Sequence, residues 1–181
     1  MRFATFFVLF SAASVLAIPF KRDVDTVKAD FATMDTQLTN LNDAISSFPS
    51  SGGTPAQLLA IHSAAFTLDN SVKKTTADIQ STAAFNHDDG KSLIDRFEAR
   101  FRKTIFFIVR DIRSIGREIK DLEPTPGEIL RVIEALDTDF SDLFDAFISK
   151  VPSDLEPELT AMKDSIASDF ALTIAALSPS N

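Results

Sequence analysis

The chain contains no cysteine, tryptophan or tyrosine, and only two histidines and five glycines among its 181 residues. Without cysteine there is neither a disulfide nor a thiolate nucleophile, so a folded domain must be held together by packing alone. The aromatic side chains are all phenylalanine, 17 in number, and lack the hydroxyl and indole N–H groups of tyrosine and tryptophan. The sequence therefore excludes a disulfide scaffold and favours an apolar aromatic core.

With only two histidines, the chain has few candidates for a catalytic base. A serine nucleophile needs a general base within reach, and only His62 and His87 could serve. His62 is followed by Ser63, but adjacent residues on a helix do not face each other, and no G-x-S-x-G sequence occurs. Neither histidine has a second metal ligand at helical spacing. We predict no catalytic residue, no metal and no cofactor; an esterase that uses His62 is the weakest alternative.

Residues 1–17 have the features of a secretory signal peptide. Arg2 precedes an apolar run that ends in small residues at Ala17. The run is too short to span a hydrocarbon core of about 30 Å as a stable helix. The next segment, residues 18–22, ends in a lysine–arginine pair. We predict that a processing protease of the kexin type cuts there and leaves Asp23 as the mature N-terminus; ordinary linker charges are the alternative.

The charge balance is strongly acidic. The chain carries 18 basic and 26 acidic side chains, a net charge of −8. Removal of residues 1–22 takes away three cations and no acid, which leaves 15 basic side chains and a net charge of −11. Such a polyanion is repelled by nucleic acid and by anionic lipid head groups. No later stretch reaches about 18 apolar residues. We expect one secreted domain over residues 23–181, a monomer without a nucleic-acid partner or a transmembrane segment.

From residue 23 onward, apolar residues recur at intervals of three and four, which is typical of amphipathic helices. No window alternates with period two, so we expect no sheet. Breaks rich in proline, glycine or polar residues at 49–53, 86–90, 123–127 and 152–153 divide the pattern into five stretches. Short connections favour antiparallel neighbours. The sequence predicts an all-α fold, an up-and-down bundle of five amphipathic helices without disulfides.

The third stretch is unusual in two ways. Residues 105–109 (IFFIV) are apolar all round, which predicts burial on several faces and a central position for this helix. Residues 88–123 also hold nine of the 15 cations that follow residue 22, whereas residues 124–181 hold eleven acids. We expect these opposite charges to pair between helices. A basic patch that binds an anionic head group is the alternative.

The phenylalanines concentrate in the last three helical stretches. Large rings on neighbouring helices can pack imperfectly and leave a dry pocket that accepts hydrocarbon; an ordinary core is the alternative. A bundle without disulfides could also open and spread its apolar faces on an oily surface. The predicted apolar lining is Phe31, Phe97, Phe101, Phe106, Ile108, Phe140, Phe144 and Phe170. Arg100 and Arg110 are candidates to meet a carboxylate head group.

Two segments near the C-terminus carry a family resemblance. Residues 147–155 (FISKVPSDL) and 164–176 (DSIASDFALTIAA) resemble the C-terminal half of the fungal hydrophobic surface-binding protein A family, which includes cell-wall galactomannoprotein antigens. The opening Lys21-Arg22-Asp23 and the Asp35…Leu38…Leu41 run are similar too. The resemblance implies a secreted or wall-associated fungal protein without catalytic residues. Some members adsorb to hydrophobic solids and help to recruit hydrolases, and others hold fatty acids within a helical bundle.

The chain departs from this family in its cation-rich helix, residues 96–120, and in its lack of an anchor region rich in serine and threonine. The first departure leaves the ligand open, and the second argues against stable attachment to the wall. We predict a secreted, non-enzymatic binder of a fatty acid, another lipid or a hydrophobic surface, with a secreted hydrolase as a candidate partner and a loose association with the cell wall. The alternative is an effector or antigen that acts through protein contacts.

Overall fold

The computed structural model describes residues 23–50, 52–123 and 127–178. These residues form five helices and no β-strand: α1 Val24–Ser46, α2 Pro55–Ser81, α3 87–122, α4 Glu128–Ile148 and α5 Glu156–Leu177. The predicted all-α fold of five helices is confirmed. The predicted signal peptide and the segment with the basic pair, residues 1–22, lie outside the described residues.

The starts of the first three helices are fixed by side-chain caps. Asp23 accepts a hydrogen bond from an amide in the first turn of α1 at 2.9 Å, and Thr54 forms a capping box with Gln57 at the start of α2. Asn86 accepts from the amide three residues later at 2.8 Å. Because Asn86 is the cap, His87 is already the first residue of α3. The predicted break over residues 86–90 is therefore too long.

The start of α4 depends on an acid at the end of α3. The carboxylate of Glu123 accepts hydrogen bonds from the amide of Gly127 at 2.8 Å and from that of Ile129 at 2.6 Å. Gly127 has a φ of +77°, a left-handed conformation that glycine adopts without steric cost. The two amides would otherwise lack partners at the helix start, so Glu123 substitutes for a local cap.

Helix α3 contains a π-helical segment, Phe97–Arg102, between the α-helical parts His87–Arg96 and Lys103–Leu122. Three buried residues around it, Phe97, Phe101 and Ile105, are spaced four apart. In a plain α-helix each such step would rotate the side chain by about 40° away from its predecessor. The wider π turn absorbs this rotation, so all three side chains face the interior.

The helices close a ring around one core: α1 packs on α2 and α3, α2 on α4, α4 on α5, and α5 on α3. Helix α3 is a member of this ring, so the prediction that it is central is wrong. Its outer side is open, and for that reason the predicted burial of residues 105–109 on several faces is also wrong. Phe106 is 44% exposed, and Phe107 is half-buried beneath the guanidinium of Arg110.

Over the described ranges, no helix combines the length and the apolar content that crossing a bilayer would require.

Candidate apolar ligand site

Phenylalanine rings from four helices meet inside the bundle. Phe101 lies 5.6 Å from Phe31 and stacks on Phe97 at 5.0 Å, both between ring centroids. Phe97 in turn meets the edge of Phe144 at 4.9 Å. We use the name aromatic core for the eight buried rings that make these and similar contacts, Phe31, Phe85, Phe97, Phe101, Phe140, Phe144, Phe147 and Phe170.

Six of the eight predicted lining residues lie in the aromatic core. A seventh, Ile108, is buried in the surrounding apolar core at 3% exposure. Two further rings, Phe85 and Phe147, are absent from the predicted lining. Phe147 lies three residues after Phe144 on the inner side of α4, a spacing that could have identified it. Phe85 follows α2, in a connection whose position no helical periodicity could predict.

The aromatic core is closed in this structure. The space left beside Phe140 and Phe144 measures about 10 Å³, at the lower limit for holding one water molecule. The rings themselves are buried, with exposures of 6% or less. A hydrocarbon chain could enter this region only if rings or helices moved apart.

The eighth predicted lining residue, Phe106, is not brought into the aromatic core. It lies on the outer side of α3, in a surface groove of about 410 Å³ between α3 and α5. The other residues that line this groove are polar or charged: Glu98, Arg102, Lys103, Ser165 and Asp169. The groove is therefore a poor match for a hydrocarbon chain.

Both predicted head-group cations are at the protein surface. Arg100 lies on the π-helical segment, with a guanidinium nitrogen 3.9 Å from a carboxylate oxygen of Asp35. Arg110 donates from Nε to the carboxylate of Asp111 at 2.7 Å, and its guanidinium covers the ring of Phe107 at 4.8 Å. Arg110 is thus already occupied, whereas Arg100 has only a distant partner.

The predicted pairing of α3 cations with the acidic α4 and α5 is mostly wrong. Across the described helices, Lys91 is the one α3 cation that pairs with α5, through Glu158 at 3.0 Å. Arg113, Arg117 and Lys120 have no ion-pair partner in the part of the chain that the structure describes. Because α3 packs mainly on α1 and α5, and meets α4 through inner rings such as those of Phe97 and Phe144, most of its cations point to solvent.

Helix α2 carries buried charge that the sequence did not predict. Lys73 donates to Asp69 at 2.8 Å and lies 3.3 Å from a carboxylate oxygen of Asp139 on α4. Burial raises the pKa of Asp139 to about 6, and the nearby carboxylate of Asp69 adds to the rise. We name Asp69, Lys73 and Asp139 the α2–α4 cluster.

A matching group connects α2 to α1. Lys74 donates to Asp78 at 2.8 Å and forms a very short hydrogen bond to Asp30 on α1. Asp30 is 7% exposed and Asp78 is 4% exposed, and burial raises the pKa of Asp30. We name Asp30, Lys74 and Asp78 the α1–α2 cluster. These aspartates therefore belong to the packing between α1 and α2 and do not form a solvated helix face.

A ring of five helices without disulfides, closed over phenylalanine, defines an all-α bundle with an apolar aromatic interior. The family model for hydrophobic surface binding protein A (HsbA) matches residues 24–149, and the chain belongs to that family. The match covers the first four helices. Most of the C-terminal segment on which the sequence resemblance rests lies beyond it. No curated protein sequence matches this chain.

Solved structures of similar shape contain fatty acids. The structure of AFMP4P in complex with palmitic acid has a TM-score of 0.78 at 20% identity, and the match covers 86% of this chain and all of that one. Ligand binding domain 1 of the Penicillium marneffei MP1 protein, complexed with arachidonic acids, gives 0.76 at 17% identity, with 87% and 100% covered. Ligand binding domain 2 of the same protein, complexed with multiple arachidonic acids, gives 0.76 at 14% identity, with 89% and 99% covered. These matches show a common fold.

Proposed function

We propose that this chain is a non-enzymatic binder of hydrophobic ligands, and that its ligand is a fatty acid. The observation that carries the proposal is the aromatic core, in which rings without polar groups from four helices form one buried surface. Membership of the HsbA family supports it. The palmitic and arachidonic acids in the similar structures support the choice of ligand class.

The ligand lies within the bundle after the rings move apart. Its lining consists of the predicted residues that are buried, Phe31, Phe97, Phe101, Ile108, Phe140, Phe144 and Phe170, and Phe106 is left at the surface. No disulfide restrains the helices, so their separation breaks only non-covalent contacts. Arg100 is a better head-group candidate than Arg110, because Asp111 and Phe107 already engage Arg110.

The proposal extends to the place of action. The signal-like residues 1–17 and the hydrophobic-surface binding of the family support secretion, with a loose association with the cell wall. Adsorption to a hydrophobic solid and recruitment of a secreted hydrolase would use the same apolar interior, exposed by opening of the bundle. Nothing in this function requires a catalytic residue.

The test is direct analysis of bound lipid. The mature chain from Asp23 is purified, and co-purified lipid is identified by native mass spectrometry and extraction. We expect a stoichiometric fatty acid, or stoichiometric uptake of added palmitate by delipidated protein. If the protein takes up no palmitate but coats a polyester surface, its function is adsorption to surfaces and not binding in an enclosed site. If the protein neither binds palmitate nor coats the surface, the proposal is rejected, and contact with a protein partner becomes the better-supported function.

A further inference from the structure

Helices α2 and α4 are separated at the surface by a groove of about 290 Å³. It is lined by Ala65, Phe66, Asp69, Lys73, Glu128, Arg131, Val132 and Ala135. None of the rings of the aromatic core is among these residues. The groove is close to the lower end of the size range of small-molecule sites, about 300 Å³. It is therefore a separate place at which a small ligand could bind.

The apolar side of the groove is unusually exposed. Phe66 is 66% exposed, and Leu59, two turns earlier on the same outer side of α2, is 68% exposed. Val132 and Ala135 face Phe66 from α4 across the groove. Large exposed apolar side chains that stand together commonly mark a ligand or interaction site. The wall that Phe66, Val132 and Ala135 form in the groove can accommodate a hydrocarbon chain.

Among the described residues, the polar side of the groove offers one cation that has no ion-pair partner. The charge of Lys73 is already balanced by Asp69 and Asp139. Glu128 is directed at His62, with a carboxylate oxygen 3.5 Å from Nδ1. The guanidinium of Arg131, by contrast, has no ion-pair partner within the described ranges. An unpaired guanidinium next to an apolar wall is complementary to a carboxylate that carries a hydrocarbon tail.

Two other surface grooves differ from this one in their walls. The groove beside Phe106 has polar walls, and Arg102 there is paired with Glu98 at 2.6 Å. The groove at the end of α3 holds Arg113, Arg117 and Lys120, but most of its lining is polar. Cations near a helix C-terminus also have a structural role, because they balance the negative end of the helix dipole. The first groove holds Phe106 and Lys103 among polar residues, but neither groove offers an extended apolar wall for the tail of an amphiphile.

We propose that the α2–α4 groove is a second ligand site, which binds a fatty acid with its carboxylate on Arg131 and its tail along Phe66, Val132 and Ala135. The proposal rests on the ligand class of the proposed function but places this ligand outside the aromatic core. It implies that the bundle can hold fatty acid without opening. It also assigns a role to an exposed phenylalanine that contributes nothing to the core.

The test is photolabelling of the mature chain with palmitate that carries a diazirine on its tail, followed by peptide mapping. We expect adducts on residues 59–73 and 128–135. Phe66→Asp removes the apolar contact and should reduce labelling of these peptides about tenfold. Leu172→Asp is the matched control, because Leu172 is an exposed apolar residue on α5 at 56% exposure. Both changes are at the surface, and circular dichroism checks that each variant is folded.

The head group is tested with the same probe and its alcohol analogue. Arg131→Glu should reduce labelling by the acid about tenfold and leave labelling by the alcohol unchanged, and Arg113→Glu should affect neither. Adducts confined to the aromatic core would overturn the second site. So would labelling of the α2 and α4 peptides that neither Phe66→Asp nor Arg131→Glu reduces. In both cases the proposed function stands. Palmitate that neither binds nor labels the wild-type chain would overturn both.

Discussion

Helices α2 and α3 use their charged side chains differently. Helix α2 directs Lys73 and Lys74 at buried aspartates of its own and of its two neighbours. Within the described residues, Arg113 and Arg117 of helix α3 have no ion-pair partner, and the helix joins the bundle through Phe97, Phe101 and the isoleucines that follow. Charged residues of α2 thus contribute to the fold through ion pairs to buried aspartates, whereas α3 contributes through apolar packing. The two helices should respond to different perturbations.

The largest effect is expected from the inner side of α3. Phe101→Ala removes a fully buried ring that contacts Phe31 and Phe97. We expect the free energy of unfolding to fall by about 3–5 kcal/mol, measured by urea denaturation at pH 7. Phe106→Ala, on the outer side of the same helix, is the control and should cost about 1 kcal/mol or less. Equal losses would show that the described orientation of α3 is wrong.

The buried charge of α2 is tested by removing its cation. Lys74→Met leaves Asp30 and Asp78 close together and buried without the charge of the lysine. We expect a loss of about 2–3 kcal/mol at pH 7, at the lower end of the effect for a buried ion pair because the lysine itself is partly exposed. The loss should shrink at pH 4, where a carboxyl of the pair takes up a proton. A loss independent of pH would contradict the α1–α2 cluster.

Asp139 makes the stability of the bundle depend on pH. Its pKa in the folded chain is about 6, compared with an ordinary value of 3.8, so between these values the folded state binds the proton more tightly than the unfolded state. Its contribution to stability is therefore complete below about pH 4 and is lost as the pH rises through 6. We expect Tm to be a few degrees higher at pH 5 than at pH 7.

Asp139→Asn is the variant that isolates this effect. It should raise Tm at pH 7 and remove much of the difference between pH 5 and pH 7. Asp30 contributes with the same sign, because burial raises its pKa too. Asp69 has a lowered pKa, mainly because of its hydrogen bonds to Asp139 and Lys73, and it acts in the opposite direction below about pH 4. If the Tm of Asp139→Asn depends on pH in the same way as that of the wild type, Asp139 is not the source of the pH dependence.

The smallest effect is expected from the outer cations of α3. Arg113→Gln and Arg117→Gln should each change the free energy of unfolding by about 0.5 kcal/mol or less, because neither guanidinium has an ion-pair partner in the described part of the chain. Urea denaturation of these variants and of Lys74→Met under the same conditions compares their free energies of unfolding. A loss comparable to that of Lys74→Met would reveal a buried partner and remove the contrast between the two helices.

The sequence predicted what helical periodicity can report. The apolar stripes identified five helices and placed Phe31, Phe101, Phe144 and Phe170 inside, because each of these residues lies on a stripe with period 3.6. Periodicity could not orient residues 105–109, since five consecutive apolar residues occupy every side of a helix. It also gave no sign of the π-helical segment, which changes the direction of side chains without changing the composition.

The missed features depend on which helices are neighbours. Asp30 and Asp139 each precede a buried phenylalanine, and an aspartate beside a stripe is normally assigned to solvent. Their burial follows from the packing of α2 between α1 and α4, which brings Lys74 and Lys73 to them. The groove with Phe66 and Arg131 arises from the same packing. The sequence contains these residues, but their proximity is a property of the assembled ring.

The central claim is that the aromatic core, closed in this structure, opens to accept a fatty acid. The most direct measurement is an NMR titration in which palmitate is added to the mature chain labelled with ¹³C-phenylalanine. The ring signals are assigned with single Phe→Leu variants. We predict that the signals of Phe101 and Phe144 shift and saturate with bound palmitate. Saturation with palmitate that leaves both signals unchanged would contradict the claim, even if the signal of Phe66 moved.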